Sequence, residues 1–266
     1  MNAIETALRR LANNMRLYGE AHLRYSDLAK VDSEEAIENV DRAFEAVLEA
    51  FHTLYDVSGD LVEYFEHADT TLLIALRNAL HHRDHPLFHS LLSQLWLSGD
   101  PERWLGAKFL LAGHGMLAGN RALMTHYVKL DDIYARLDPK SVSPHRDTFL
   151  KGERAAARMS LVESGLALGA IRERARQKRY PSNQVYLDMV PILISAVSRA
   201  FIALQAAGVG FNGYDANAYK DTFTSELRVD LQSAEFSMVS MTNLQIFVGP
   251  KLSILQMSRS LESPHG

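Results

Sequence analysis

The chain has 266 residues, of which 47% are apolar and 23% charged, with a net charge of -4 and no cysteine. Such a length and composition fit one large globular domain, or a main domain with a smaller appendage. The absence of cysteine excludes disulfides, thiolate metal sites and cysteine nucleophiles, and the negative net charge means that only a local basic patch could attract a polyanion.

The first half of the chain is patterned as successive amphipathic helices. The spacing of its apolar residues predicts one helix over Ile4–Leu28. Asp32 then offers an N-cap, with Glu35 three residues later as in a capping box. Apolar residues recur at helical spacing from Ile37 to Tyr55, so a second long helix is predicted there.

Further helices are predicted on both sides of a proline. One covers Asp69–His82, and Pro86 limits how far it can continue, because the residue before a proline avoids the helical region. Pro86 itself suits the first position of a new helix, which runs to Leu95. Two long helical patterns follow, over 148–177 and 182–207.

The hydrophobic period changes toward the end of the chain. Residues 208–215 hold three glycines and two aromatics, which indicates a linker. In 227–231 and 244–248 apolar residues alternate with polar ones, a pattern that predicts strands. The glycine-rich segment 113–120 lacks the Lys-Ser/Thr pair of a P-loop, and we interpret it as a connection between helices.

These patterns together predict a mainly α protein. We expect a multi-helix up-and-down bundle with a small β appendage at the C-terminus. A helical domain is expected over 1–140, further helices packed on it over 141–210, and a linker with a β tail over 211–266.

The sequence also bears on location. Residues 1–5 lack the basic start and the apolar run of a secretory signal peptide. The most apolar stretch, 190–209, is interrupted by Ser195, Arg199 and Gln205, which favours a buried helix over a membrane span. We therefore expect a cytoplasmic protein.

The segment richest in reactive side chains is RNALHHRDH, residues 77–85. Arg77 lies on the flank of the leucine face of its helix, where it can bury its stem and present its guanidinium to a phosphate. Asn78 points away from that face. Around a continuous helix, His82 lies about 140° from Arg77. The two can share a ligand only if the helix unwinds near His81, or if they meet across a dimer interface.

Residues 77–82, RNALHH, resemble the signature of the HEPN superfamily (higher eukaryotes and prokaryotes nucleotide-binding domain). Members are helical domains with an arginine, commonly followed by a polar residue, and a histidine a few positions later. Many are metal-independent ribonucleases of toxin–antitoxin and defence systems that act as homodimers. The resemblance implies that Arg77 binds the scissile phosphate, that His82 is the acid–base group and that Asn78 orients the pair. It implies RNA and a protein antitoxin or regulatory protein as partners, and no cofactor.

The same segment supports other interpretations. His81 and Asp84 are expected to support the site, but Arg77 and Asp84 could equally form a structural ion pair at the helix end, where histidines favour the dipole. Alternatively His81, Asp84, His85 and His89 could hold a metal ion, although no glutamate stands between them as in a metalloprotease helix. A non-catalytic helical interaction module is the competing function.

The strongest basic cluster ends the predicted helix 148–177. Its members are Arg172, Arg174, Arg176, Lys178 and Arg179. Cations are favoured at a helix C-terminus, so ordinary capping is one interpretation. The other is that this local positive charge binds an RNA backbone.

Overall fold

The computed structural model describes residues 2–80, 87–117, 123–246 and 252–261. Its helices are α1 (Ala3–Leu28), α2 (Ser33–Ser58), α3 (Ala68–Leu80), α4 (Leu91–Trp96), α5 (Leu130–Leu137), α6 (Glu153–Gly165), α7 (Leu168–Gln177), α8 (Met189–Ala206) and α9 (Tyr214–Asp221). Its strands are β1 (Lys108–Met116), β2 (Tyr127–Lys129), β3 (Val185–Asp188), β4 (Val229–Ile246) and β5 (Leu252–Leu261). The protein is mainly α, as predicted.

The first two helices form a hairpin. Their predicted positions are confirmed, and Asp32 is the expected N-cap, accepting a hydrogen bond from the backbone N–H of Glu35 at 2.9 Å. Because only four residues, 29–32, join two helices of 26 residues, α1 and α2 lie antiparallel and pack their apolar stripes together.

The five strands form one sheet, in the order β2-β3-β1-β4-β5. β1 pairs in parallel with β3 and antiparallel with β4. Leu110 and Ala112 belong to the main core, whereas Phe109 and Leu111 pack on the opposite face of the sheet. Burial on both faces produces a continuous apolar run without alternation. The interpretation of 113–120 as a connection between helices is therefore wrong for residues 113–116, which belong to β1.

Of the two segments predicted as strands near the C-terminus, residues 229–231 and 244–246 belong to a single strand, β4, and this strand is not an appendage. β4 pairs with the whole of β1, from Lys108 opposite Ser240 to Met116 opposite Val229. Its far end pairs with β5. This part of the chain therefore completes the central sheet.

Several helix boundaries differ from the prediction. The pattern over 148–177 forms two helices, α6 and α7, separated at Ala167, which has a left-handed backbone (φ 50°). At the end of α6, Gly165 lies so close to α3 that a Cβ atom on it would be 2.4 Å from Cβ of Ala68. The helix expected to begin at Pro86 instead begins at Leu91, after the N-cap Ser90.

The pattern over 182–207 combines a strand and a helix. β3 is buried throughout, and Asp188 then caps α8 by accepting a hydrogen bond from the backbone N–H of Val190 at 3.1 Å. By length and composition α8 could cross a membrane, but 61% of it lies inside the protein. The buried helix predicted here is confirmed.

Candidate functional site

The helix that carries Arg77 is fixed in the core. Ten of the 13 residues of α3 are buried. Near its N-terminus the fully buried carboxylate of Asp69 accepts a hydrogen bond from Ser195 Oγ at 2.7 Å and pairs with Arg199 Nη2 at 3.3 Å, both from α8. These contacts attach α3 to α8, so Arg77 near the other end of the helix stands on a rigid support.

Arg77 lies where α3 meets α2. Its Nη2 pairs with Oε2 of Glu49 at 3.0 Å, and its Nη1 is 3.4 Å from Oδ1 of Asn78. One fifth of the side chain is exposed, and its buried Nε has no hydrogen-bond partner among the described residues. The guanidinium is therefore held in one orientation with part of its donor capacity unused.

The other motif residues, His81, His82 and Asp84, lie outside the described residues, as does His85. Three interpretations therefore stay predictions. They are the pairing of Arg77 with His82, the ion pair of Arg77 with Asp84, and the metal site that includes His81, Asp84 and His85. Within the described ranges, no group of three or more histidines and carboxylates is placed to hold a metal ion.

Glu49 is a partner of Arg77 that the sequence did not reveal. The two residues are 28 positions apart and lie on different helices. No local spacing rule connects such a pair, and only the packing of α3 against α2 brings them together. The interpretation of Arg77 as a structural ion-pair residue is thus supported by Glu49, a different partner from the predicted Asp84.

A second group of polar side chains lies between α1, α2 and the sheet. We call it the inner polar cluster, and its members are Tyr18, His22, Asp41, Ser90 and His126. Oδ2 of Asp41 accepts a hydrogen bond from Ser90 Oγ at 2.8 Å. The ring of Tyr18 contacts that of His22, with centroids 4.7 Å apart, and lies 6.3 Å from that of His126. Four separate parts of the chain thus meet here.

Burial shifts the titration of the inner polar cluster. It raises the pKa of Asp41 to about 7, against the opposing hydrogen bond from Ser90 and with a contribution from Glu45. Burial also raises the pKa of Tyr18, lowers the pKa of His22 and lowers that of His126 to about 3. Burial therefore disfavours the charged form of each of these four side chains.

Two polar atoms of the inner polar cluster are buried without partners. They are the hydroxyl of Tyr18 and Nε2 of His22, neither of which meets a hydrogen-bonding group in the part of the chain that the structure describes. The inner polar cluster contains no sequence motif, so it could not be recognised from the sequence. Its one signal was Asp41, a carboxylate beside the apolar stripe of α2.

The arginines of α7 do not form a single stripe. The guanidinium of Arg172 lies over the ring of Tyr134, 4.4 Å from its centroid, and that of Arg174 over a ring of β4 at 5.7 Å. Arg176 makes a two-point ion pair with Glu173, at 2.8 and 2.9 Å. Each of these three arginines, which were predicted to bind RNA, thus has a cation–π contact or an ion pair within the protein.

The last two members of the basic cluster, Lys178 and Arg179, line a cleft of about 440 Å³ together with Lys108 at the start of β1. We call it the cationic cleft. Its other lining residues are Gly106, Ala107, Tyr180, Pro181, Gln184 and Met238. The structure therefore adds Lys108, which is distant in sequence, to the basic cluster.

The backbone at the end of α7 forms a Schellman motif. The N–H of Tyr180 bonds to the carbonyl of Ala175 at 2.9 Å, and the N–H of Arg179 to that of Arg176 at 3.1 Å. Arg179 occupies the position after the C-cap with φ 58°, where glycine is usual. A left-handed conformation costs a residue with a side chain about 1 kcal/mol.

Comparisons with protein-family models, curated proteins and solved structures found no match to this chain. The HEPN resemblance consequently rests on residues 77–82 alone.

Proposed function

We propose that this protein is a metal-independent endoribonuclease or an RNA-binding protein of a toxin or defence type, with Arg77 at the scissile phosphate and His82 in acid–base work. The observation that carries the proposal is the placement of Arg77. Its guanidinium is one fifth exposed, stands on a buried helix and is oriented by Glu49 and Asn78, and Nη1 and Nη2 each carry a second N–H beyond those two contacts. A preoriented guanidinium stabilises charge that develops on phosphorus.

The proposed reaction needs only groups that RNA and this chain supply. His82 takes the proton of the 2′-hydroxyl, the 2′-oxygen attacks phosphorus, and the bond from phosphorus to the 5′-oxygen breaks. The proton then passes from His82 to the leaving 5′-oxygen, which gives a 2′,3′-cyclic phosphate and a 5′-hydroxyl. Arg77 stabilises the added negative charge, and Asn78 orients the pair.

The proposal extends to partners and location. A homodimer would bring two copies of the motif to one cleft, which removes the need for Arg77 and His82 to face each other on one helix. We further propose a cytoplasmic location, a protein antitoxin or regulatory partner, and RNA contacts through the basic cluster at residues 172–179. No cofactor is required.

The second candidate is a non-catalytic helical interaction module. It is favoured by the ion pair between Arg77 and Glu49, which gives Arg77 a structural role that needs no ligand. In that case Arg77 contributes to the packing of α3 on α2 and nothing else.

Incubation of the purified protein with total RNA, with and without EDTA, separates the two candidates. We expect wild type to cleave RNA, and Arg77→Ala and His82→Ala to lower the rate by about 10²-fold or more. Arg42→Ala is the matched control, because Arg42 is an exposed arginine of α2 that pairs with Glu38 one turn away. It should leave the rate unchanged.

Other outcomes decide against the ribonuclease. Equal inertness of all four proteins on RNA, with Arg77→Ala less stable than Arg42→Ala, would favour the interaction module. Cleavage by wild type that EDTA abolishes would favour the metal site instead.

A further inference from the structure

The cationic cleft gathers positive charge from two elements that are far apart in sequence. Lys178 and Arg179 follow α7, whereas Lys108 begins β1. None of the described residues that line the cleft is a carboxylate. Lys108 and Arg179 are both exposed, and neither forms a hydrogen bond or an ion pair through its side chain with the described residues. An arrangement of this kind attracts an anion.

Arg179 is not needed to end the helix. The carbonyls of Arg174, Ala175 and Arg176 are bonded by backbone N–H groups, the last of them by that of Arg179 itself. The guanidinium of Arg179 donates no hydrogen bond to a carbonyl of the described residues. Glycine would adopt the same left-handed backbone without strain. The backbone therefore favours glycine at this position, and the arginine is best explained by a ligand that its guanidinium binds.

The rest of the cleft suits a ligand larger than a bare ion. Its volume lies within the range of small-molecule sites. Tyr180, Pro181 and Met238 supply apolar surface, and Gln184 supplies an amide that can donate and accept hydrogen bonds. A nucleotide has the same division into a phosphate, a flat apolar ring and a hydrogen-bonding edge.

We propose that the cationic cleft binds a nucleoside monophosphate unit, with Arg179 and Lys108 at the phosphate. The unit could be a free nucleotide or the 5′-phosphorylated end of an RNA, and only the second source rests on the proposed ribonuclease function. Arg179 offers a planar fork for two phosphate oxygens, and Lys108 adds a point charge.

Calorimetric titration with AMP at low salt tests the site in wild type and in Arg179→Gly, Lys108→Gln and Arg42→Gln. We expect wild type to bind AMP, and the Arg179 and Lys108 variants to lose at least about tenfold in affinity. Arg42→Gln is the matched control, because it removes the same charge from an exposed arginine of α2 that Glu38 pairs outside the cleft. It should change affinity less than twofold.

The melting temperature of Arg179→Gly separates binding from folding. Because glycine relieves the left-handed strain, we expect this variant to melt about 2–4 °C higher than wild type while binding AMP more weakly. A general loss of structure would lower both quantities. If AMP binds Arg179→Gly and wild type equally, or binds neither, the proposal is overturned.

Three further ligands identify what the cleft recognises. Inorganic phosphate should compete with AMP but bind more weakly than AMP, because it lacks the nucleoside. Adenosine should also bind more weakly, because it lacks the charge. Equal affinity for phosphate and AMP would contradict recognition of the nucleoside. An RNA oligonucleotide with a 5′-phosphate should compete better than the same oligonucleotide with a 5′-hydroxyl if RNA is the source of the unit, and equal competition would assign the cleft to free nucleotides. Arg77→Ala should keep AMP binding, so a failure of the ribonuclease proposal and a failure of this one are distinguishable.

Discussion

Two buried polar regions of this molecule differ in how completely their groups are paired. At the junction of α3 and α8, the fully buried carboxylate of Asp69 has both Ser195 and Arg199 as partners. In the inner polar cluster, the Tyr18 hydroxyl and Nε2 of His22 are buried with no partner among the described residues. Both regions lie within the same core, so burial alone does not explain the difference.

The paired groups around Asp69 fix how α3 packs on α8, whereas the unpaired groups of the inner polar cluster lower the stability of the fold. A buried charge with complete hydrogen bonding fixes one geometry, and its removal leaves its partners uncompensated. A buried hydroxyl without a partner has lost its bonds to water and gained none, which costs about 1–3 kcal/mol. We therefore expect substitutions in the two regions to have opposite signs.

The largest effect is expected for Asp69→Ala. The variant leaves Ser195 and Arg199 without their acceptor, so the free energy of unfolding should fall by about 3 kcal/mol. This figure lies at the low end for buried pairs because Arg199 is 38% exposed and can be solvated. Urea unfolding measures it. Asp27→Ala, which removes a carboxylate from an exposed pair with Lys30, should stay within about 0.5 kcal/mol of wild type.

A loss for Asp69→Ala no greater than that of Asp27→Ala would contradict the role given to this junction. Because Asp69 attaches the helix that carries Arg77, the same variant should also weaken any RNA cleavage at temperatures where it is still folded. Stability and activity would then fall together.

A smaller effect, with a characteristic pH dependence, is expected for Asp41→Asn. Burial raises the pKa of Asp41 from 3.8 to about 7, so the folded state holds the proton more tightly than the unfolded state. The resulting stabilisation is fully present below about pH 4 and is lost as pH rises through 7. The variant keeps an acceptor for Ser90 but cannot ionise. Its stability relative to wild type should therefore rise by about 2 kcal/mol between pH 4 and 8, allowing for the partial exposure of Asp41.

Unfolding in urea at several pH values checks this prediction. His126 contributes with the opposite sign, because its pKa is lowered to about 3 and its stabilisation is lost as pH falls from 6.5 toward 3. That contribution is present in both proteins and cancels in their difference. A difference that stays constant with pH would show that Asp41 is not desolvated in solution.

Local signals in the sequence were enough for some elements and not for others. The apolar stripe of α2 and the Asp32 cap are determined by residues within a few positions of each other, so they could be predicted. β1 could not, because a strand buried on both faces lacks the alternation that identifies strands. The placement of Arg77 on a helix flank followed from the same periodicity, but its partner Glu49 depends on the packing of two helices.

The inner polar cluster was invisible to sequence analysis for the same reason. Its members come from α1, α2, the N-cap of α4 and the segment before β2, and no local rule brings the last two of these to the hairpin of α1 and α2. Motifs consist of residues that are close in sequence, such as Arg77 and Asn78. Sites assembled from distant elements, like the cationic cleft, become visible only when the chain is folded.

The smallest and most diagnostic effect is expected for Tyr18→Phe. Removing a buried hydroxyl that has no partner eliminates its desolvation cost and leaves the ring packing in place, so the variant should be more stable than wild type by about 0.5–1 kcal/mol. Tyr64→Phe is the matched control, because the equally buried hydroxyl of Tyr64 bonds to Ser58 Oγ at 2.9 Å. It should lose about 1 kcal/mol. If Tyr18→Phe instead loses as much as Tyr64→Phe, the Tyr18 hydroxyl has a bound partner in solution, and the contrast between the two buried regions disappears.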